Sequence, residues 1–318
     1  MSTQISTAFV KQYSDNIMML VQQMGSRLRG ATTLETGKRG EEVYMEQLGA
    51  TAAQLVTSRH ADSPLVDTPH SRRRVTPKSF QWGDLIDDQD KLRMLIDPAS
   101  SYAQNAAMAM GRSIDDEIIS ALTGTAQTGV DGSTSTTLPS AQKVAVNSHA
   151  YGLGTGDKGL TISKLLEAKK ILGAADADDY DLAGNPNIFC VVNSKQLAHL
   201  LSDMSFGSKM GNTDAGFSGI NALSGDYNSV RGLVTGEIDT FMGVRFIRTE
   251  RLGTDSNSDE QVVMFHRAGI GLCVWDDIKA RVTERADKRF ATYVYFSMTV
   301  GSTRLEEERV VEIACDPS

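Results

Sequence analysis

Over residues 7–28, Phe9, Tyr13, Ile17, Leu20, Met24 and Leu28 recur at spacings of three and four, which predicts one stripe of an amphipathic helix ending near Gly30. A second helical stretch is predicted over 40–56, where Val43, Leu48 and Leu55 stand among Glu41, Glu42 and Glu46, so its apolar face is thin and needs a partner. Between 60 and 96 the pattern changes. Pro64, Pro69 and Pro77 break any helix, and apolar content falls to Val66, Val75, Phe80, Trp82, Leu85, Ile86 and a few others. Such a stretch cannot bury enough surface to fold alone, and alternation around 75–82 predicts a two-stranded arm that stands away from its own domain and is stabilised by a neighbour.

Asp97 and Pro98 then open the clearest helix in the chain, the first as cap and the second at a position where its missing N–H costs nothing. Tyr102, Ala106, Met110, Ile114, Ile118 and Leu122 recur every fourth residue up to Gly124, which predicts a rigid rod of ~40 Å. Residues 124–159 read as a Gly-, Ser- and Thr-rich loop with a short strand at 143–146. From 161 the pattern is mixed: a helix over 161–172 capped by Thr161 or Ser163, a strand over 187–192 running into a helix at Asn193-Ser194, a loop over 206–236, and strands at 243–248 and 262–265. The last segment is strand-rich. Residues 278–285 alternate, and Phe290, Thr292, Val294, Phe296, Met298 and Val300 share one face of a long strand with Tyr293 and Tyr295 on the other. Gly301 is expected to bend that strand, and 310–315 to return as a final one. The long helix and these strands are expected to form a second, elongated domain.

Composition narrows the chemistry. Of 318 residues 40% are apolar, enough for one large or two modest domains, and the net charge of −8 argues against a protein whose main task is to grip nucleic acid. The first hundred residues hold twelve basic and twelve acidic side chains, so the acidic excess lies in the body of the chain, while a basic stretch runs from Arg59 to Lys78. Cys190, Cys273 and Cys315 lie far apart in apolar runs and are read as buried reduced thiols, which fits a cytosolic origin. The N-terminus lacks the pattern of a signal peptide, and no apolar run approaches the ~18 residues of a membrane span.

Signals for catalysis are missing. His60, His70, His149, His199 and His266 sit in unrelated contexts without partners at metal-ligand spacing, and Gly-x-Ser-x-Gly does not occur. The glycines at 152, 154, 156 and 159 lack the GK[ST] ending of a phosphate loop. Asp115-Asp116-Glu117 has no supporting His and reads as a solvated or subunit-facing acidic patch. No catalytic residue, metal site or cofactor site is assigned.

The order of parts resembles the HK97-like fold of tailed-bacteriophage major capsid proteins, and particular strings look like one branch of that family. They are Phe9-Val-Lys-Gln-Tyr-Ser-Asp-Asn, Asp84-Leu-Ile-Asp, Leu92-Arg-Met-Leu-Ile-Asp-Pro, Glu284-Arg-Ala-Asp-Lys-Arg-Phe-Ala-Thr and Gly301-Ser-Thr-Arg. The resemblance implies an α+β chain with a helical N-arm (1–59), an extended E-loop (60–96), a spine helix with part of the P domain (97–159), a compact α/β A domain (160–275) and the long strands of the P domain (276–318). It implies a shell built from many copies of the chain, as hexamers and pentamers, enclosing double-stranded DNA. Expected partners are a portal protein at one vertex, a separate scaffolding protein and a decoration or cement protein, with assembly in the host bacterial cytoplasm and no membrane. An encapsulin-like shell around a protein cargo fits the same parts, and an α/β enzyme is the alternative from another class.

Within that frame Arg72, Arg73 and Arg74 form a basic fork expected to pair with carboxylates of adjacent copies, for instance around 115–117 or 306–308. Trp82, with no local core, is expected to anchor on a neighbour. Arg285, Asp287, Lys288 and Arg289 are expected to form salt bridges between subunits. An acidic inner surface would repel packaged DNA and avoid trapping it during filling.

Overall fold

The computed structural model describes residues 22–55, 57–59, 63, 65–86, 99–148, 157–179, 186–206 and 240–317. In chain order these form a 3-10 turn at Arg29–Ala31, then β1 (Thr33–Thr36), β2 (Val43–Leu48), β3 (His70–Val75), β4 (Lys78–Ile86) and α1 (Ala99–Thr123). They continue with β5 (Ala126–Thr128), β6 (Thr134–Thr136), β7 (Lys143–Val144), α2 (Ile162–Ala174), β8 (Ile188–Val192) and α3 (Ser194–Phe206). The C-terminal third holds β9 (Thr240–Phe241), β10 (Val244–Arg248), β11 (Glu260–His266), β12 (Ile270–Arg285), β13 (Ala291–Arg304) and β14 (Val310–Cys315). The chain divides into two compact units, one of residues 1–26, 78–114 and 276–300, the other of 27–77, 115–275 and 301–318.

The larger unit is built on a six-stranded sheet of order β7-β14-β11-β8-β10-β9. One face of it carries Val144, Cys190, Val192, Phe246, Met264 and Ile313 into a core shared with Leu165, Ala168 and Leu172 of α2 and Leu200 of α3. Both helices begin where the sequence places them: Thr161 Oγ1 accepts the N–H of Lys164 at 3.4 Å, and Asn193 Oδ1 accepts that of Gln196 at 2.8 Å. All five residues of β8 are buried, as befits a strand covered on both faces. The final strand departs from expectation. Instead of joining the long strands before it, β14 pairs antiparallel with β11 and parallel with β7, and five of its six residues are buried.

A second sheet in this unit, β2-β3-β5-β6, replaces the helix predicted over 40–56. Met45 is buried with Val75, Cys273 and Leu305, and β2 pairs with β3 from Val43↔Val75 to Leu48↔His70. The thin apolar face that made a poor helix is a sufficient strand face, because alternation buries Met45 and leaves Glu46 outside. Nor is the segment 22–28 helical. The N–H groups of Arg27 and Leu28 bond to the Asp115 carboxylate at 3.0–3.2 Å and not to carbonyls one turn back. Phe9, Tyr13, Ile17 and Leu20 lie outside the described residues, as do Asp97, Pro98 and all of the loop predicted over 206–236 except Phe206, which ends α3.

In the smaller unit β4 pairs antiparallel with β13 from Ile86↔Thr292 to Lys78↔Val300. The predicted faces of β13 hold: Val294, Phe296, Met298 and Val300 are buried, and Tyr293 stacks on Tyr295 with ring centroids 5.9 Å apart on the other side. Phe290 does not share the buried face; it precedes the strand, has φ +59° and is 62% exposed. The α1 stripe is buried at Ala106, Met110, Ile114, Ile118 and Leu122, its first three members in the smaller unit and the last two in the larger. Gly301, expected to bend the strand, lies inside β13, which runs on to Arg304 within the larger unit. A Cβ there would stand 2.5 Å from the carbonyl oxygen of Thr76, so the glycine permits close approach of two backbones.

Candidate functional site

The arginine fork lies on β3, where alternation sends its members in different directions. Arg73 points inward and is 8% exposed. Its Nη2 meets Glu307 Oε2 at 2.5 Å, and its Nε donates to the carbonyl of Leu305 at 2.8 Å, an oxygen that also accepts from Gln47 Nε2 at 2.6 Å. Arg74 pairs with Glu42 at 3.0 Å across the β2–β3 ladder. Arg72 is half-exposed, reaches Glu46 only at 3.8 Å, and lies 5.7 Å from the ring centre of Tyr44. Within the chain the run 306–308 partners Arg73 alone, through Glu307, because strand pairing brings β3 beside the turn before β14.

Next to this pair stands a residue that sequence reasoning missed as a bearing element. Arg304 is fully buried, and its Nη1 donates to the carbonyls of Leu122 (3.0 Å) and Gly124 (2.7 Å) while Nη2 donates to that of Thr136 (3.1 Å). A cation placed on the free carbonyls at the end of α1 meets the negative end of the helix dipole. Burial pulls its guanidinium below the usual arginine range, opposed by Glu307, whose Oε1 is 3.7 Å from Nε. Glu307 thus faces both Arg73 and Arg304, tying the root of the β2–β3 arm to the end of the long helix. The signal in the sequence was an arginine that closes the Gly301-Ser-Thr-Arg string at the end of an apolar strand.

The carboxylates at 115–117 also correct the expectation of a patch open to solvent or a neighbour. Asp115 is fully buried as the acceptor of the Arg27 and Leu28 N–H groups, Glu117 is 8% exposed, and Asp116 pairs with Arg251 through Nε and Nη2.

Trp82 has a local partner after all. It stands opposite Phe296 in the β4–β13 register, with the rings edge to face at 6.3 Å. The four-stranded sheet to which β4 belongs supplies the apolar surface that the isolated segment lacks.

At the β12–β13 turn Arg285 pairs with Asp287 at 2.5 Å and lies 5.5 Å from the ring centre of Tyr293. The Arg285 guanidinium beside Asp287 holds that carboxyl below its ordinary value. Lys288 and Arg289 are exposed, and Arg289 and Phe290 are both in the left-handed region at φ +53° and +59°. Backbone strain of this sort costs on the order of 1 kcal/mol per residue.

Among the described residues, the two most exposed large apolar side chains lie in the run joining β2 to β3, and a third stands at the end of β2. Leu48 is 69% exposed, Leu55 88% and Leu65 96%. The thiols are buried as expected; loss of solvent pushes Cys273 up to about 11 and Cys315 up to about 12. Among the described residues no three His, Cys, Asp or Glu side chains cluster as metal ligands, and no helix is long and apolar enough to cross a membrane.

A family model described as phage capsid protein matches residues 5–317. The chain belongs to the phage capsid protein family. No curated protein matches it. Among solved structures, the capsid of Ralstonia phage GP4 superposes with a TM-score of 0.72 at 10% identity, covering 98% of this chain and 96% of the other. The capsid of cyanophage P-SCSP1u gives 0.67 at 15% identity over 100% and 96%. The head of Helicobacter pylori bacteriophage KHP40 gives 0.68 at 8% identity over 100% and 98%. Identities this low establish the shared HK97-like fold, and the family match establishes a major capsid shell protein of a phage. The family is one of structural proteins, not of enzymes.

Proposed function

We propose that this capsid protein tiles, as hexamers and pentamers, into an icosahedral shell that encloses double-stranded DNA in the head of a tailed phage. The observation that carries the tiling is the end of β2 and the run that follows it, which leave Leu48, Leu55 and Leu65 largely in water. A chain gains nothing from holding such side chains out unless another surface covers them, and burying each is worth roughly 1.5–3 kcal/mol. On this reading the E-loop is the β2–β3 hairpin with 49–69 as its outer part, beginning earlier than residue 60, and β4 belongs to the P domain. Repetition turns such modest contacts into a stable shell, since each subunit is held from several sides at once.

Of the contact candidates, Lys288 and Arg289 are exposed and Arg72 is held only loosely by Glu46 at 3.8 Å, so these three would pair across a subunit boundary, while Arg285 and Asp287 would meet a neighbour as a pair. A portal protein at one vertex, a separate scaffolding protein, a decoration protein and assembly in the host bacterial cytoplasm belong to the same proposal. Negative-stain imaging of the expressed chain tests it. Capsomers, tubes or shells are expected, and replacing Leu55 and Leu65 together by Ser should abolish them while leaving a folded subunit. A monomer that stays dispersed at high concentration would overturn the proposal.

A further inference from the structure

A cavity of about 540 Å³ opens in the larger unit between residues 27–31 and the strands β8 and β10, lined among others by Arg27, Ala31, Phe189, Arg245, Ile247 and Arg248. It is a concentration of positive charge in a chain whose net charge is −8. Arg245 stands opposite Phe189 in the β8–β10 ladder and is exposed. Arg27 is held in place: its Nη1 donates to the carbonyl of Arg248 at 2.5 Å. Among the described residues that contact uses one edge of the guanidinium and no other bond is made by its remaining donors. Among the described residues none of the three arginines has a carboxylate partner, in contrast to Arg73, Arg74, Arg251 and Arg285.

We infer that this cavity is a phosphate-binding site that takes the backbone phosphate of nucleic acid, an inference that rests on the reading of the shell as a container for DNA. Arginine suits the purpose because its planar fork can bond two phosphate oxygens at once and stays charged at any relevant pH. The apolar walls of Phe189 and Ile247 lower the local dielectric and strengthen the attraction. A volume within the roughly 300–1,000 Å³ range of small-ligand clefts admits a phosphodiester with part of its sugar, more than a bare anion requires. The acidic body repels DNA in general and makes such a contact local, holding the polymer at chosen points without gripping its length.

The test is fluorescence anisotropy of a labelled 12-base-pair duplex titrated with the full-length wild-type chain, with Arg27→Gln plus Arg245→Gln, and with Arg281→Gln as a surface control in the other unit. Wild type and the control should bind alike at low salt. The double variant should bind about tenfold weaker or less, with its log K against log salt slope reduced by roughly 1, the mark of one lost phosphate contact. An unchanged thermal midpoint shows that the double variant is folded. Equal binding by the double variant, no binding by wild type, or binding of inorganic phosphate alone without duplex would each overturn the inference. Negative-stain imaging of the same samples keeps the two readings apart: shells with insensitive DNA binding refute the site, and sensitive DNA binding without shells refutes the shell.

Discussion

Replacing Arg304 by Met removes the cation that closes the end of α1 while nearly keeping its volume. Three donations are lost, to the carbonyls of Leu122, Gly124 and Thr136 at 2.7–3.1 Å. Hydrogen bonds from a charged group contribute about 1.5–3 kcal/mol each; the bond to Leu122 is buried, so its carbonyl loses its partner outright, while those to Gly124 and Thr136 are part-buried and regain some hydration. Two effects offset part of the loss. Met gains apolar burial, and the desolvation that lowers the Arg304 pKa is no longer incurred. Glu307 keeps Arg73, so no carboxylate is stranded. The balance is a destabilisation of about 3–4 kcal/mol, near the low end for breaking a buried ionic contact. At roughly 2–4 °C per kcal/mol the melting midpoint of the unassembled subunit should fall by about 10 °C, with the urea midpoint lowered at unchanged slope. Arg304→Lys, which can reach only part of the carbonyl set, should fall between. A loss below about 1 kcal/mol for the Met variant would refute the view that this guanidinium bears the helix end.

The arginine fork should separate into unequal members: Arg73→Ala should cost about 3 kcal/mol in urea unfolding of the subunit, because it removes the 2.5 Å partner of the buried Glu307, leaving only Arg304 at 3.7 Å, and one of the two donors to the Leu305 carbonyl, whereas Arg72→Ala should cost under ~1 kcal/mol. Equal costs would show that the burial of Arg73 is irrelevant to stability. His266 should make the fold acid-sensitive. Its ring is buried, Nδ1 accepts the N–H of Ala268 at 3.1 Å, Nε2 lies 2.7 Å from Asp179 Oδ1, and burial lowers its pKa below the ordinary 6.5 despite Asp179. The unfolded state therefore binds the proton more readily, so its contribution is present above about pH 6.5 and is lost as pH falls toward the folded value. Stability measured by urea midpoint from pH 7.5 to 5 should decline, and His266→Gln should flatten that decline; an unchanged slope would assign the acid sensitivity elsewhere.

Much of the local structure was legible because it depends on neighbours in sequence. The four-residue recurrence through Ala106 to Leu122, the caps at Thr161 and Asn193, and the alternation of Thr292 to Val300 are consequences of backbone geometry that any tertiary arrangement must respect. The capsid fold was recognisable for the same reason, from the order of those parts and from strings such as Gly301-Ser-Thr-Arg. Where a segment had too few apolar residues to announce its period, as at 43–48, the pattern misled: strand pairing with β3 decided the conformation, and that partner lies more than twenty residues away.

Partnership of charges was decided by tertiary structure alone. The sequence by itself determined that Arg72 to Arg74 needed carboxylates, that Trp82 needed an apolar surface and that the arm lacked a core of its own. Only the fold decided that Glu307, Glu42 and Phe296 of the same chain meet those needs, that Asp115 is buried beneath the backbone of residues 27–28, and that Arg304 seals a helix. The physical reason is that charge and apolar area fix how strongly a side chain must be paired, while the path of the backbone fixes with what. Among the described residues, the exposed leucines near the β2–β3 run and the exposed arginines are the groups whose needs the fold leaves least met.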